Sequence, residues 1–471
     1  MNKFIKTIAM CLVAVIICGV SGACAEDSGK AWHVGFGMAE FVPADYDPAT
    51  DTFENTYYIA GYNNGLPVTG ILDPQCVRAA YISDGDTAIV AAAVDCVGLT
   101  IQSIENIRQR IAPVVEKYGL ADVHIAATHT HAGIDTMGLW GPLAVDGKDD
   151  SFMEILYDAA AEAIEAACED AKEGKLYYGK AFTAALQRDS RLPNIYDKDI
   201  HRLRFEPADG SAGLQILSYD AHPEALRSEN TKVSADYPYY MGQIIKEKTG
   251  DEYVFFAGAV GGLIMTHVQI DPNTGREYVS MEDNVKVTGK ILADTVLKNT
   301  TERELAPSLE HATKNIALDI DNAAFIAMAF AGVLDNTPVK GGGDYGLALE
   351  SRVSLMRLGG SDGLSVIMVP GELFPELAHG GNYSTPMNLD ADNPTPMKDY
   401  IDNDFIVWGL CDDEVGYIVP PEDYLLHDTL PYFDRAYDQF NRRHYEETNC
   451  VGPETAATIC DAIGDLAEEM K

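Results

Sequence analysis

The chain has 471 residues, and its 73 Asp and Glu outnumber its 34 Lys and Arg to give a formal charge of −39. With no basic patch to release counterions, it is a poor partner for nucleic acid or an anionic membrane surface, and a phosphate substrate is disfavoured for the same reason. Its length can fill a large core, and it carries no Pro/Ser-rich linker, low-complexity tract or fixed-period repeat, which points to one continuous domain.

Lys3 and Lys6 precede an apolar run from Ile8 to Val20, and Ala23-Cys24-Ala25 before Glu26 reads as a cleavage signal. The run falls short of the roughly 20 residues that a membrane-spanning helix needs. Residues 1–25 are therefore expected to be a signal peptide, and the mature chain 26–471 to be exported without a transmembrane span. Ser21-Gly22-Ala23 ahead of Cys24 loosely matches a lipoprotein processing site, so a lipid anchor at Cys24 is the alternative.

Val34-Gly35-Phe36-Gly37 reads as a short Gly-rich lead-in. Cys76–Ile82 and Ala88–Cys96 read as paired strands, with Asp84-Gly85 marking the turn. Ile101–Lys117 has helical spacing that Pro113 is expected to interrupt near its end. Asp122–Thr128 is a strand running into His129-Thr130-His131, and Met153–Lys172 is an Ala- and Glu-rich helix. Leu203–Phe205 and Leu214–Tyr219 pair as strands, the second leading into Ala221-His222-Pro223. A strand at Tyr253–Ala257, a helix at Asp283–Asn299 and a buried helix at Ala323–Val333 follow. Ser354–Leu358 and Ser365–Val369 are strands, the second stopping at Pro370-Gly371-Glu372, and a helix near Glu454–Met470 closes the chain. Lys340-Gly341-Gly342-Gly343 and residues 382–398 look like insertions between elements. Strands and helices alternate without strict βαβ order, so the expected class is α/β, with mixed β-sheets layered with helices in a single large catalytic domain.

Polar residues capable of chemistry stand where apolar strands end: His129 and His131, His222, and Glu372. On an extended segment, residues two apart share a face, so His129 and His131 are expected to reach one pocket by strand alternation. Glu372 at the close of an apolar strand calls for a partner. Two His and a carboxylate are a known ligand set for catalytic zinc, which keeps one position open for water. Six cysteines lie beyond residue 25, none in Cys-x-x-Cys spacing, which argues against a thiolate zinc site. Cys450 and Cys460 could bridge in an oxidising compartment.

His129-Thr130-His131-Ala132-Gly133 resembles the His-Thr-His-Ser-Gly segment of the neutral ceramidases. Further matches follow in that family's order: Val34–Gly37, Arg78–Ile82, Val94–Leu99, Ala221-His222-Pro223, Pro370-Gly371-Glu372, and Gly416-Tyr417 followed by Pro421–Tyr424. The resemblance implies a zinc ion (Zn2+) held by His129, His222, Glu372 and Tyr417, with His131 as general base and later acid. It places Arg188 at the oxyanion, with Arg191 competing because Gln187 and Asp189 depart from the family's Asn-Arg-Ser segment. Gly258–Leu263 lacks the family's Asn-Gly-Asp element, and where a further tyrosine is expected Thr429 stands, with Tyr432 nearby. The resemblance is to the catalytic part of that family, and the C-terminal β-sandwich that ceramidases carry is expected to be absent. The implied function is zinc-dependent hydrolysis of the amide of a small-molecule or lipid N-acyl substrate, ceramide-like, in sphingolipid metabolism. Another N-acyl or ester substrate, or an exported non-catalytic binding protein on the same fold, are the alternatives.

Overall fold

The computed structural model describes residues 30–471 except 144, 184–185, 193, 299–300, 382–386 and 389. The expected signal peptide, Cys24 within it, and part of the 382–398 insertion lie outside the described residues.

The glycines of Val34-Gly35-Phe36-Gly37 are not a lead-in but the middle of strand β1 (Trp32–Glu40). A Cβ on Gly35 would stand 2.2 Å from the carbonyl oxygen of Ala167, and one on Gly37 would stand 2.0 Å from that of Ala163. Both carbonyls belong to helix α2 (Asp150–Glu169), so the alternate glycines let helix and strand backbones touch. Beside β1 lie β2 (Cys76–Ser83), β3 (Ala88–Val94) and β4 (Asp122–Ala127) on one side. On the other side lie β5 (Lys172–Phe182), β6 (Asp199–Pro207), β7 (Leu214–Tyr219) and β8 (Glu252–Ala257), while β9 (Glu302–Leu305) pairs with β5 to complete nine strands. The pairings are antiparallel except β3 with β4 and β7 with β8.

A second sheet runs β10 (Leu309–Asp319), β11 (Leu347–Leu358), β12 (Leu364–Met368), β13 (Asp404–Trp408), the last pair parallel. The two sheets pack face to face through Ile82, Ala91, Phe205, Ile216 and Phe256 against Met356, Val366, Ile406 and Trp408. Phe256 and Trp408 stack with ring centroids 4.0 Å apart. Outside the first sheet, α1 (Ile101–Tyr118) and α2 cover the β2–β3 half, and α3 (Tyr237–Thr249) with α4 (Met281–Lys298) cover the β7–β8 half. Helix α6 (Thr455–Glu469) covers the second sheet, with the short helix α5 (Ala323–Phe330) at its margin. The result is an α/β/β/α layering in which Ala31–Lys471 cluster as one unit.

Four expectations are corrected. Helix α1 continues through Pro113 to Tyr118, and both Pro113 and Gln109, whose carbonyl loses its donor there, are exposed residues. Helix α5 has no buried residue, and Phe330 is 73% exposed, so its apolar sequence does not mark a core helix. Cys450 and Cys460 do not bridge: all six described cysteines are buried and single, and Cys450 Sγ lies 2.8 Å from the Tyr424 hydroxyl. Strands β5, β10 and β13 and helix α3 fall where no element is expected from sequence.

Candidate metal centre

Three strand ends meet at one place. His129 follows β4, His222 follows β7 and Glu372 follows β12, each strand having a parallel neighbour. In α/β sheets the carboxyl ends of such strands are where ligands bind. The segment after β13 stitches these ends together. Ala127 N donates to Leu410 O (3.1 Å), Leu410 N to Gly371 O (3.2 Å), and Gly409 N to Ala257 O (3.0 Å).

His129 and His131 do converge, but not by strand alternation. His129 takes a left-handed backbone conformation with φ +66°, which costs a non-glycine residue about 1–3 kcal/mol. The turn is held by Thr130 Oγ1 donating to Ser234 O (2.8 Å) and by His131 N donating to Pro223 O (3.0 Å). It brings the two Nε2 atoms to 3.2 Å. His222 Nε2 lies 2.9 Å and His129 Nε2 3.3 Å from Glu372 Oε2. The ligand atoms of His129, His131 and His222 all lie within 4.8 Å of one another.

The tautomers follow from the opposite ring nitrogens. His129 Nδ1 donates to Val97 O (2.6 Å) and His222 Nδ1 to Ile264 O (2.8 Å). A carbonyl only accepts, so each Nδ1 carries hydrogen and each neutral ring turns an Nε2 lone pair toward Glu372. Lone pairs facing a buried carboxylate at 2.9–3.3 Å repel unless positive charge lies between them. Burial pushes the Glu372 carboxyl up, but His129 and then His222 pull it well below the usual carboxylate range. Burial pushes the His222 imidazole down, and Glu372 more than reverses this. The arrangement therefore asks for a cation: a proton on His222, or a metal ion ligated by the three groups. The donor set fits a divalent zinc.

Two further convergences, Asp122/His124/His311 and His124/Cys411/Asp412, fit a metal less well. Arg352 crosses both, bonding Asp122 at 3.0 Å and Asp412 at 2.8 Å, and Arg108 adds a second guanidinium on Asp412, so their carboxylates already have cations. A cleft of about 1020 Å³ between α1 and the second sheet is lined by Asp122 and Arg352 but by none of His129, His131, His222 or Glu372.

No protein-family profile and no curated protein sequence matches the chain. Solved structures do. The neutral ceramidase from Pseudomonas aeruginosa superposes with a TM-score of 0.70 at 17% identity, over 94% of this chain and 74% of that one. A structure described as ceramidase complexed with C2 superposes with a TM-score of 0.69 at 16% identity, over 94% and 75%. The chain has the neutral ceramidase fold.

On this ceramidase fold the remaining candidates are placed unequally. Tyr417 is a register partner of Glu372 in a parallel two-residue ribbon, is buried, and meets the Tyr445 hydroxyl at 3.0 Å. Burial, and next the Glu372 carboxylate, push its phenol well above its ordinary value. Arg191 is enclosed by Asp423 (2.5 Å), Glu446 (2.8 Å) and Glu447 (3.1 Å) and lies over the Phe374 ring, so its guanidinium ties these loops together. Arg188 is exposed, with Nη2 3.1 Å from Met265 Sδ, at the rim and not among the convergent groups. Thr429 is exposed, and Tyr432 accepts from the Tyr424 hydroxyl at 3.3 Å; the phenol that reaches Tyr417 is Tyr445.

Three residues around His131 escape a reading of the sequence. The Tyr62 ring stands edge-on to His131 with centroids 5.0 Å apart, and its hydroxyl donates to Glu224 Oε2. That Oε2 lies 3.8 Å from His131 Nδ1, a buried atom with no hydrogen bond of its own. Gly61 has φ +103°, and a Cβ there would lie 2.5 Å from His131 Cγ. Glu224 follows His222 by two residues, and a carboxylate so near a candidate ligand was the available signal. Burial, then His129 and His222, hold the His131 imidazole well below its ordinary pKa, so it is neutral at pH 7.

Proposed function

We propose that this chain is a zinc-dependent hydrolase that cleaves the amide bond of an N-acyl substrate. The observation that carries the reading is the pair of Nε2 atoms, held by Nδ1–carbonyl bonds, that meet a buried carboxylate at one point. The ceramidase fold supports an amide as the bond, and the ceramidases that share it make ceramide the first substrate to try. His129, His222 and Glu372 would hold the metal, with Tyr417 beside Glu372 as the fourth group. Zinc held there supplies the electrophile that activates water at neutral pH.

The chain's own residues supply the rest. His131 is neutral and turns Nε2 toward the site, so it can take a proton from the attacking water. As water's oxygen bonds to the carbonyl carbon and the C–N bond breaks, His131 returns that proton to the leaving nitrogen. Such transfer is worth about 10²–10⁴ in rate. Glu224, which accepts from Tyr62, stands 3.8 Å behind Nδ1, where it can orient the ring. Arg188 is the arginine open to a substrate oxygen.

We also propose that residues 1–25 are removed on export. Lys3, Lys6 and the apolar run support this, and no described helix is long and apolar enough to cross a membrane. The deciding experiment measures metal content of purified protein together with fatty-acid release from a short-chain fluorescent ceramide, with and without chelator. About one zinc per chain and chelator-sensitive release are expected. No bound zinc would defeat the proposal, and zinc without ceramide cleavage would move the substrate to another N-acyl compound.

A further inference from the structure

Arg188, Met265 and His222 stand in a row across three adjacent backbone segments. Arg188 pairs with Met265 in an antiparallel ribbon, and Met265 forms a parallel bridge to His222. Two strand spacings put the Arg188 backbone about 10 Å from that of His222. A second guanidinium comes from Arg227, held in a left-handed turn at φ +63°. Arg227 Nη2 donates to Thr266 O (2.6 Å), and its Nη1 lies 3.1 Å from Met265 Sδ, the sulfur that Arg188 Nη2 also touches at 3.1 Å.

Two guanidinium groups thus share one neutral thioether, a weak acceptor that cancels no charge. Arg227 has Glu224 at 3.4 Å. Among the described residues no carboxylate pairs with Arg188, in a chain where Asp and Glu outnumber Lys and Arg 73 to 34. The rim of the centre therefore presents one guanidinium, that of Arg188, which no described carboxylate pairs, on a strongly negative protein. That combination repels an anion elsewhere and receives it here. A guanidinium is planar and matches a carboxylate with two parallel hydrogen bonds.

We propose that the substrate bears a carboxylate on the amine side of the scissile amide, received by Arg188 and Arg227, so that an N-acyl amino acid is preferred over an uncharged N-acyl amino alcohol. This rests on the amide-hydrolase reading and deepens it. With the Arg188 backbone about 10 Å from that of His222 and its guanidinium on Met265, the residue between them, the position suits a carboxylate a few bonds from the carbonyl. A charge at the far end of an acyl chain would lie beyond it.

The test offers zinc-loaded full-length protein two amides with one acyl chain, N-octanoylglycine and N-octanoylethanolamine, and follows amine release. The wild type is expected to favour the glycine conjugate by about tenfold in kcat/KM, the value of a charge-assisted contact. Arg188→Gln and Arg227→Gln are expected to bring that ratio toward one, chiefly through KM, and Arg188→Lys to restore part of it. A wild-type ratio of one or less, or a ratio that both Gln variants leave unmoved, overturns the proposal. If neither amide is cleaved, the hydrolase reading fails separately, and equilibrium binding of the same two compounds decides. Tighter binding of N-octanoylglycine that Arg188→Gln abolishes upholds the arginine pair, and equal binding of the two compounds overturns it.

Discussion

Gly61→Ala probes how His131 is placed without altering His129, His222 or Glu372. An alanine Cβ at 61 would stand 2.5 Å from His131 Cγ and 2.7 Å from its Nδ1, where ordinary contact begins near 3.4 Å. The ring must therefore move by about 1 Å, and a displacement of that size costs about 10²-fold in a catalytic step. That corresponds to about 2.7 kcal/mol in the barrier. Alanine at φ +103° adds roughly 1–2 kcal/mol of backbone strain, so thermal unfolding and circular dichroism accompany the kinetics. The expected result is a folded protein with full zinc by atomic absorption and kcat lowered about 100-fold. Unchanged kcat would show that the Gly61 contact does not place His131. Zinc lost together with activity would make His131 a ligand and remove it from the acid–base role.

His222→Ala is expected to lose metal and hydrolysis together, and full zinc occupancy in that variant would refute its place in the ligand set. Arg191→Met should destabilise the fold by about 3–5 kcal/mol in urea titration, because it leaves Asp423, Glu446 and Glu447 buried without their cation. Arg188→Gln, at an exposed site, should change stability by less than about 0.5 kcal/mol, and a comparable loss from both would refute the distinction. Burial raises the Asp413 carboxyl to about 7, against the pull of Ser351 and the backbone amides of Glu414 and Ile101. An acid with a folded pKa above its unfolded one holds its proton longer in the native state. The stability it contributes is therefore complete below about pH 4 and is lost as pH rises through about 7. Asp413→Asn keeps the Oδ1 that accepts from Ile101 N and Glu414 N and removes the ionisation. Its advantage over the wild type should be larger at pH 8 than at pH 5 by about 2–3 kcal/mol, and an equal difference at both would refute the titration account.

Strand ends were the legible part of this centre. An apolar run that stops at a His or Glu leaves a mark in the sequence, and β4, β7 and β12 each deliver the residue expected of them. What brings those ends together is not legible, because it is backbone pairing through Ala127, Leu410 and Gly371 whose side chains carry no signal. The His129 turn shows the same limit: spacing two apart suggests an extended strand, while the atoms meet through a left-handed residue fixed by distant carbonyls. Tyr445 is one of 24 tyrosines and lies 28 residues from Tyr417, so only the fold could select it. Strand β1 was hidden for the opposite reason. Gly35 and Gly37 lower strand propensity, yet they are there because α2 lies against them. Helix α5 misled because apolar composition alone does not say which surface a segment meets.

The six described cysteines, single and buried, bear on how the protein can be made. Among the described residues no disulfide has to form, so this part of the fold does not wait on an oxidant. Burial also pushes the thiols of Cys76, Cys96, Cys168, Cys411, Cys450 and Cys460 upward, away from the reactive thiolate, so passage into an oxidising space should neither crosslink nor scramble it.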